Sequence, residues 1–188
     1  TMMLLELVAF LFGIVSVIYA KKENILVYPT GIICTVITMY ILLEAEYFGD
    51  MMMNLYYSSM SVYGWWNWSR IKNDSSKIEI TYTNYRERVT AIILFFVTMI
   101  ITYTVYLVNI PTIEWINYID ILTSGIFFVA MWFMANKKIE SWIFWIIGDV
   151  ITIPLYSYRG LGMLSMQYLI FTILAIQAYN QWKKSLVK

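Results

Sequence analysis

Trp142-Ile143-Phe144-Trp145-Ile146-Ile147-Gly148-Asp149 is the stretch on which the fold turns. It lies inside a hydrophobic run long enough to cross a bilayer. Trp142, Trp145 and Asp149 are spaced by three and then four residues, so on a helix they share one face. An acid inside a membrane span is costly and generally faces a bundle interior or a wet cavity. Two indoles over a carboxyl group make an apolar, anionic cage that suits a flat cation.

The rest of the chain has the same character. Of its 188 residues 61% are hydrophobic and 13% charged, and the mean hydropathy is +0.66. A soluble domain carries about 25% charged residues. Charge-free runs recur at Ile25–Leu43, Met51–Ser69, Val89–Ile113 and Gly160–Trp182. Leu7–Ala20 and Ile121–Asn136 reach spanning length if Glu6 and Asp120 lie at the interface, and Ser141–Tyr158 is broken only by Asp149. A spanning helix needs about 20 apolar residues, so the sequence predicts an all-α membrane protein with seven transmembrane helices. The first run has no basic region before it and no small-x-small site before Lys21, which is unlike a cleaved signal peptide.

Seven spans sort the cations. Lys21, Lys22, Arg70, Lys72, Lys77, Arg86, Arg88, Lys137, Lys138, Lys183, Lys184 and Lys188 fall on one side, and Arg159 alone on the other. The positive-inside rule then puts the N-terminus outside and the C-terminus in the cytoplasm.

A shift of 114 residues lays the last third of the chain on the first without a gap. Glu6 falls on Asp120, Tyr28 on Trp142, Thr35 on Asp149, Tyr57 on Phe171 and Trp68 on Trp182. The organisation this predicts is a three-helix repeat over 1–70, a cytoplasmic loop over 71–88, a linker span over 89–113 and a second repeat over 114–188. With one helix between them the repeats run parallel, a transporter plan with its site between repeats near mid-depth. A short hairpin is expected around Lys77–Thr83.

Asn24-Ile25-Leu26-Val27-Tyr28-Pro29-Thr30-Gly31 opens the second span. Tyr47-Phe48-Gly49-Asp50 leads into the third, which ends Tyr63-Gly64-Trp65-Trp66-Asn67-Trp68. With Trp142-x-x-Trp145-x-x-x-Asp149 and Tyr158-Arg159-Gly160-Leu161, these stretches resemble the Pnu family of bacterial vitamin transporters, and within it the nicotinamide riboside carriers most. Tyr28 stands where that family often has Trp. The resemblance implies a 3+1+3 fold of parallel repeats, like that of the SWEET sugar transporters. It also implies facilitated diffusion of a vitamin or nucleoside across a bacterial inner membrane, and homo-oligomers, a trimer among them. Nicotinamide riboside is the first choice of cargo. Thiamine or another vitamin or nucleoside of the same family is the alternative, as is an ion-coupled symporter with Asp149 carrying a proton.

Several side chains are candidates for the site. Trp142 and Trp145 are placed to stack on a ring, against the alternative of an interfacial belt. Asp149 is placed to bind ribose hydroxyls or a pyridinium charge, against the alternative of anchoring a helix through Thr35 or Tyr57. Asp50, Asn54, Tyr57 and Ser61 share one face of the third span; Asn54 and Tyr57 lie deep enough to meet a ligand and Asp50 at the outer mouth. Gln167 offers a deep amide to a carboxamide or a sugar. Asp120, Thr123 and Ser124 open the fifth span and are expected to line an outer vestibule, and Tyr63–Trp68 reads as an interfacial girdle.

Other classes fit poorly. There is no histidine and no plausible nucleophile–base pair, so an enzyme is not expected. No phosphate-binding loop is present, and spans five to seven lack the buried lysine of a retinal protein. No cofactor, metal site or nucleic-acid partner is expected; the partners are the bilayer and a small molecule.

Overall fold

A computed structural model describes residues 2–44, 48–72, 76–77, 79–160 and 162–187. These form seven α-helices: α1 Met2–Lys21, α2 Val27–Glu44, α3 Phe48–Ser69, α4 Tyr85–Asn109, α5 Trp115–Ala135, α6 Glu140–Tyr158 and α7 Gly162–Val187. Polar residues fix several of their ends. Asn84 accepts from the Glu87 amide at 2.9 Å while the Glu87 carboxylate accepts from the Asn84 amide at 3.0 Å, a reciprocal cap that starts α4. Thr30 Oγ1 returns to the Leu26 carbonyl beside Pro29 in the first turn of α2, where a missing N–H costs little.

Five helices, α1, α2, α4, α5 and α7, are long and apolar enough to cross a membrane, which makes this an all-α, multi-span membrane protein. The sequence count was seven. The two that fall short by composition are α3, which carries Asn54, Ser58, Ser59, Ser61 and Asn67, and α6, which carries Glu140 and Asp149. Both pack among their neighbours, where polar side chains need not meet lipid.

Six helices close into a ring. α1 packs on α2, α2 on α3, α3 on α5, α5 on α6, α6 on α7, and α7 returns to α1. α4 lies outside the ring against α5, with a smaller contact to α3. Connectivity brings the α1–α2, α3–α4 and α5–α6 loops and the C-terminus of α7 to one end, here called the basic end.

The hairpin sits earlier than expected. Ile71–Lys72 (β1) pairs antiparallel with Ser76–Lys77 (β2), and Thr81 turns to the α5–α6 loop instead. The Thr81 amide donates to the Lys137 carbonyl and the Ile139 amide to the Thr81 carbonyl, each at 3.1 Å. These bonds satisfy the backbone of Thr81, and the adjoining Thr83 amide donates to the Glu140 carboxylate at 2.9 Å.

At the opposite end, Arg159 forms an ion pair with Asp120, whose carboxylate also accepts from the Tyr106 hydroxyl at 2.6 Å. Both charged side chains are buried, so this contact ties α4, α5 and the α6–α7 turn together. Removing one partner of a buried pair leaves a charge without compensation and costs about 3–5 kcal/mol. Arg159→Ala is therefore expected to lower the thermal unfolding midpoint in detergent clearly, and Arg159→Lys to lower it less. An unchanged midpoint for the alanine variant would show that the pair contributes nothing.

Candidate functional site

The ring of helices encloses a cavity of about 130 Å³. Asn54 and Tyr57 from α3, Trp142, Trp145 and Asp149 from α6, and Gln167 from α7 all line it. The side chains that sequence spacing singled out on three separate helices thus meet at one hollow. The close packing of α5 on α6 helps to set this geometry. A Cβ at Gly148 would collide with the Phe127 ring at Cε1, so only glycine lets that ring slide under α6. Trp145 then packs against Phe127 at 5.5 Å and Tyr57 at 5.9 Å between ring centroids.

The polar atoms at the hollow are incompletely satisfied. Tyr28 Oη, Trp142 Nε1, Trp145 Nε1 and Asp149 Oδ1 are buried without a hydrogen-bond partner among the described residues, and all four residues line the cavity. Thr35, one expected anchor for Asp149, pairs with Ser58 at 2.9 Å instead. Thr152, a turn below, bonds back to the Gly148 carbonyl at 2.7 Å. Gln167 Nε2 has only long contacts, 3.5 Å to the Ala9 carbonyl and 3.9 Å to Cys34 Sγ. Buried donors and acceptors without partners are costly in an apolar setting. A guest with hydroxyls and a positive charge removes that cost, whereas nothing in the set makes or breaks a covalent bond.

Between the cavity and the basic end lies a layer of four rings. Tyr28 meets Trp68 edge-on at 5.0 Å, and Trp142 meets Trp182 edge-on at 5.4 Å, both at 87°. Trp68 Nε1 donates to the Met134 carbonyl at 3.0 Å, and Trp182 Nε1 to the Ala20 carbonyl at 3.2 Å. Each indole thus ties one half of the ring to the end of the other half's first helix. Above them Lys137 pairs with Glu23 at 3.3 Å and lies 4.6 Å over the Trp68 ring. Every one of these correspondences (28 with 142, 68 with 182, 20 with 134, 23 with 137) is an offset of 114 residues.

Several expectations change. Ser124 does not line a vestibule: it is fully buried and bonds Thr102 of α4 at 3.1 Å and the Ile121 carbonyl at 2.6 Å. A hydroxyl facing a neighbouring helix secures the pair, a usual role in membranes. Asp120 is buried under Arg159 instead of standing in an open mouth, beside a small crevice shared with Asn54 and Tyr57. Asp50 belongs to α3, but its side chain lies outside the described residues. The Tyr63–Trp68 girdle divides: Trp65 and Trp66 are exposed, while Trp68 is inside the core. Trp142 is buried against Trp182, which removes it from the interfacial belt. Spacing alone missed Trp182, Phe127 and Tyr168; the signal available for Trp182 was its alignment with Trp68.

Comparison with known proteins agrees with this architecture. The family model described as nicotinamide mononucleotide transporter matches residues 3–184. The nicotinamide riboside transporter PnuC of Escherichia coli (strain K12) is 22% identical over 96% of this chain and 85% of its own length. The riboflavin/roseoflavin transporter RibM of Streptomyces davaonensis is 23% identical over 66% of this chain and 59% of its own. A crystal structure of the vitamin B3 transporter PnuC superposes with a TM-score of 0.79 at 22% identity, covering 97% of this chain and 82% of that one. At that identity the superposition speaks for the fold. The model match over nearly the whole chain speaks for descent: the chain belongs to the nicotinamide mononucleotide transporter family, a family of membrane transporters and not of enzymes.

Proposed function

We propose that the protein carries nicotinamide riboside, or a vitamin of closely similar shape and charge, down its gradient into the cell. The observation that carries this reading is the set of four buried polar atoms without partners at the cavity, on Tyr28, Trp142, Trp145 and Asp149. The indoles match a flat ring, the acid matches a positive charge, and the hydroxyl and indole N–H groups match a sugar. Asp149 is the one acidic residue that lines the cavity among the described residues, which favours a cation over an anion. The names of the similar PnuC proteins point to the same substrate class, and that of RibM to vitamins more broadly.

In this reading all seven helices span the bilayer, because α3 and α6 owe their low hydropathy to the site they line. The chain is two parallel three-helix repeats joined by α4, the SWEET-like plan. Two features support it: the ring order is unchanged when α1, α2 and α3 are exchanged with α5, α6 and α7, and the indole bonds recur across the 114-residue offset. Transport proceeds by rocking of one repeat against the other. Opening the basic end requires the bonds of Trp68 and Trp182 to the opposite repeat, and the Glu23–Lys137 pair, to part. The basic end faces the cytoplasm of a bacterial cell, and copies associate in the inner membrane as homo-oligomers such as trimers.

Uptake of labelled nicotinamide riboside into proteoliposomes tests the substrate and the site together. Trp145→Ala is expected to cut transport about three- to thirtyfold through lost stacking. Asp149→Asn, nearly unchanged in shape, is expected to cut it roughly tenfold or more through the lost charged partner. Unchanged uptake in both variants would remove the site. Uptake of thiamine in place of nicotinamide riboside would keep the site and change the cargo.

Sidedness has its own test. In a Cys34→Ser background, cysteine at Lys184 is expected to react with an impermeant thiol reagent only from the cytoplasmic side, and cysteine at Tyr118 only from outside. The reverse pattern would invert the proposed orientation.

A further inference from the structure

Resting on the reading of the cavity as the cargo site, we propose that Gly31 is the specificity-determining wall of that site, leaving opposite Trp145 a slot for one six-membered ring. The 114-residue offset aligns Gly13 with Phe127 and Gly31 with Trp145. In the α5–α6 half both positions carry aromatic rings, packed 5.5 Å apart. In the α1–α2 half both carry only hydrogen, and both line the cavity. The space beside Gly13 is already taken by Gln167, Cys34 and Phe171, whereas a Cβ at Gly31 would meet only Ser16. The hollow therefore owes its room to the inequality at Gly31: by symmetry, the guest lies where a counterpart of the Trp145 ring would lie.

The neighbours of the glycines fit this role. Ser16, Cys34 and Thr35 line the same wall and are small. Ser16 Oγ is committed to the Val27 carbonyl at 2.8 Å and Thr35 Oγ1 to Ser58 at 2.9 Å. The wall thus offers a flat, satisfied surface suited to the face of a ring. The unpaired polar atoms belong to Tyr28 and α6, suited to the ring's edge and its substituents. The volume, about 130 Å³, is close to the roughly 150 Å³ of an engineered cavity that takes up one benzene. That volume matches a pyridine-sized ring more closely than a fused three-ring flavin. A sugar must then gain its space from side chains that can turn, such as Gln167 with its long contacts, because a helix backbone at glycine has nothing further to give.

Calorimetric titration of the purified protein with nicotinamide riboside and, in parallel, riboflavin tests the slot. A Cβ at Gly31 meets only Ser16, with Oγ at 3.0 Å, so Gly31→Ala is mild and Gly31→Val fills more of the space. Affinity for nicotinamide riboside is expected to fall stepwise from Gly to Ala to Val, by about tenfold or more at Val, with the unfolding midpoint of the cargo-free protein retained. The loss at Ala is expected to persist when Ser16→Ala removes the one close contact, and this pair decides the matter if the valine variant does not fold. Binding of riboflavin by the unmodified protein as tightly as nicotinamide riboside overturns the proposal. So does Gly31→Val binding within about twofold of the unmodified protein, on a scale where one filled methylene shifts affinity by tenfold or more, and so does full rescue by Ser16→Ala. Trp145→Ala separates the two readings: if it weakens binding while Gly31→Val does not, only the glycine wall fails, and if neither weakens it, the cavity is not the site.

Discussion

Within a bilayer a polar atom has no water to turn to, and each unmet donor or acceptor must be answered by the protein or by a guest. That constraint organises this molecule. Several hydroxyls that face neighbouring helices are answered internally, as Ser124 is by Thr102 and Thr35 is by Ser58, although Ser141 Oγ is not. Where charges are buried they are paired, as Arg159 and Asp120 are. The gathering of unanswered atoms at one cavity is what supports reading it as the site. Four buried polar atoms from Tyr28 and α6 converge there with no partner among the described residues.

The two halves of the ring divide the labour. Their likeness builds the closure at the basic end, where each half sends an indole N–H to the end of the other half's first helix. In the proposed rocking of the halves, like contacts on both sides would part together. Their unlikeness builds the chemistry. Thr35 aligns with Asp149 and Gly31 with Trp145, so in the proposed reading the charge and the stacking surface belong to one half and the free space to the other. A carrier made of two identical halves would present either two acids or none to a cargo with one charge.

Much of this was legible in the sequence. Helix number follows from the spacing of hydrophobic runs, and the spacing of Trp142, Trp145 and Asp149 fixes one face whatever the neighbours do. Asn54, Tyr57 and Gln167 were identifiable because a polar side chain in an apolar run must find an interior partner. The failures have the same root. Spacing tells which face a residue occupies but not which neighbour that face meets, so Ser124 was assigned to water when it meets α4. Trp68 was assigned to the interface because aromatic density there is usual; its burial depends on the carbonyl of Met134, sixty-six positions away. The glycine wall was invisible for a different reason, since absent side chains leave no hydrophobic or polar signal until the opposing rings are in place.

The most direct measurement is an experimental structure of the protein determined with nicotinamide riboside. The account requires the pyridinium ring in the cavity against Trp145, with Asp149 Oδ1 newly within hydrogen-bonding distance of the cargo. Cargo bound elsewhere, with the cavity unchanged and Asp149 Oδ1 still without a partner, would contradict it.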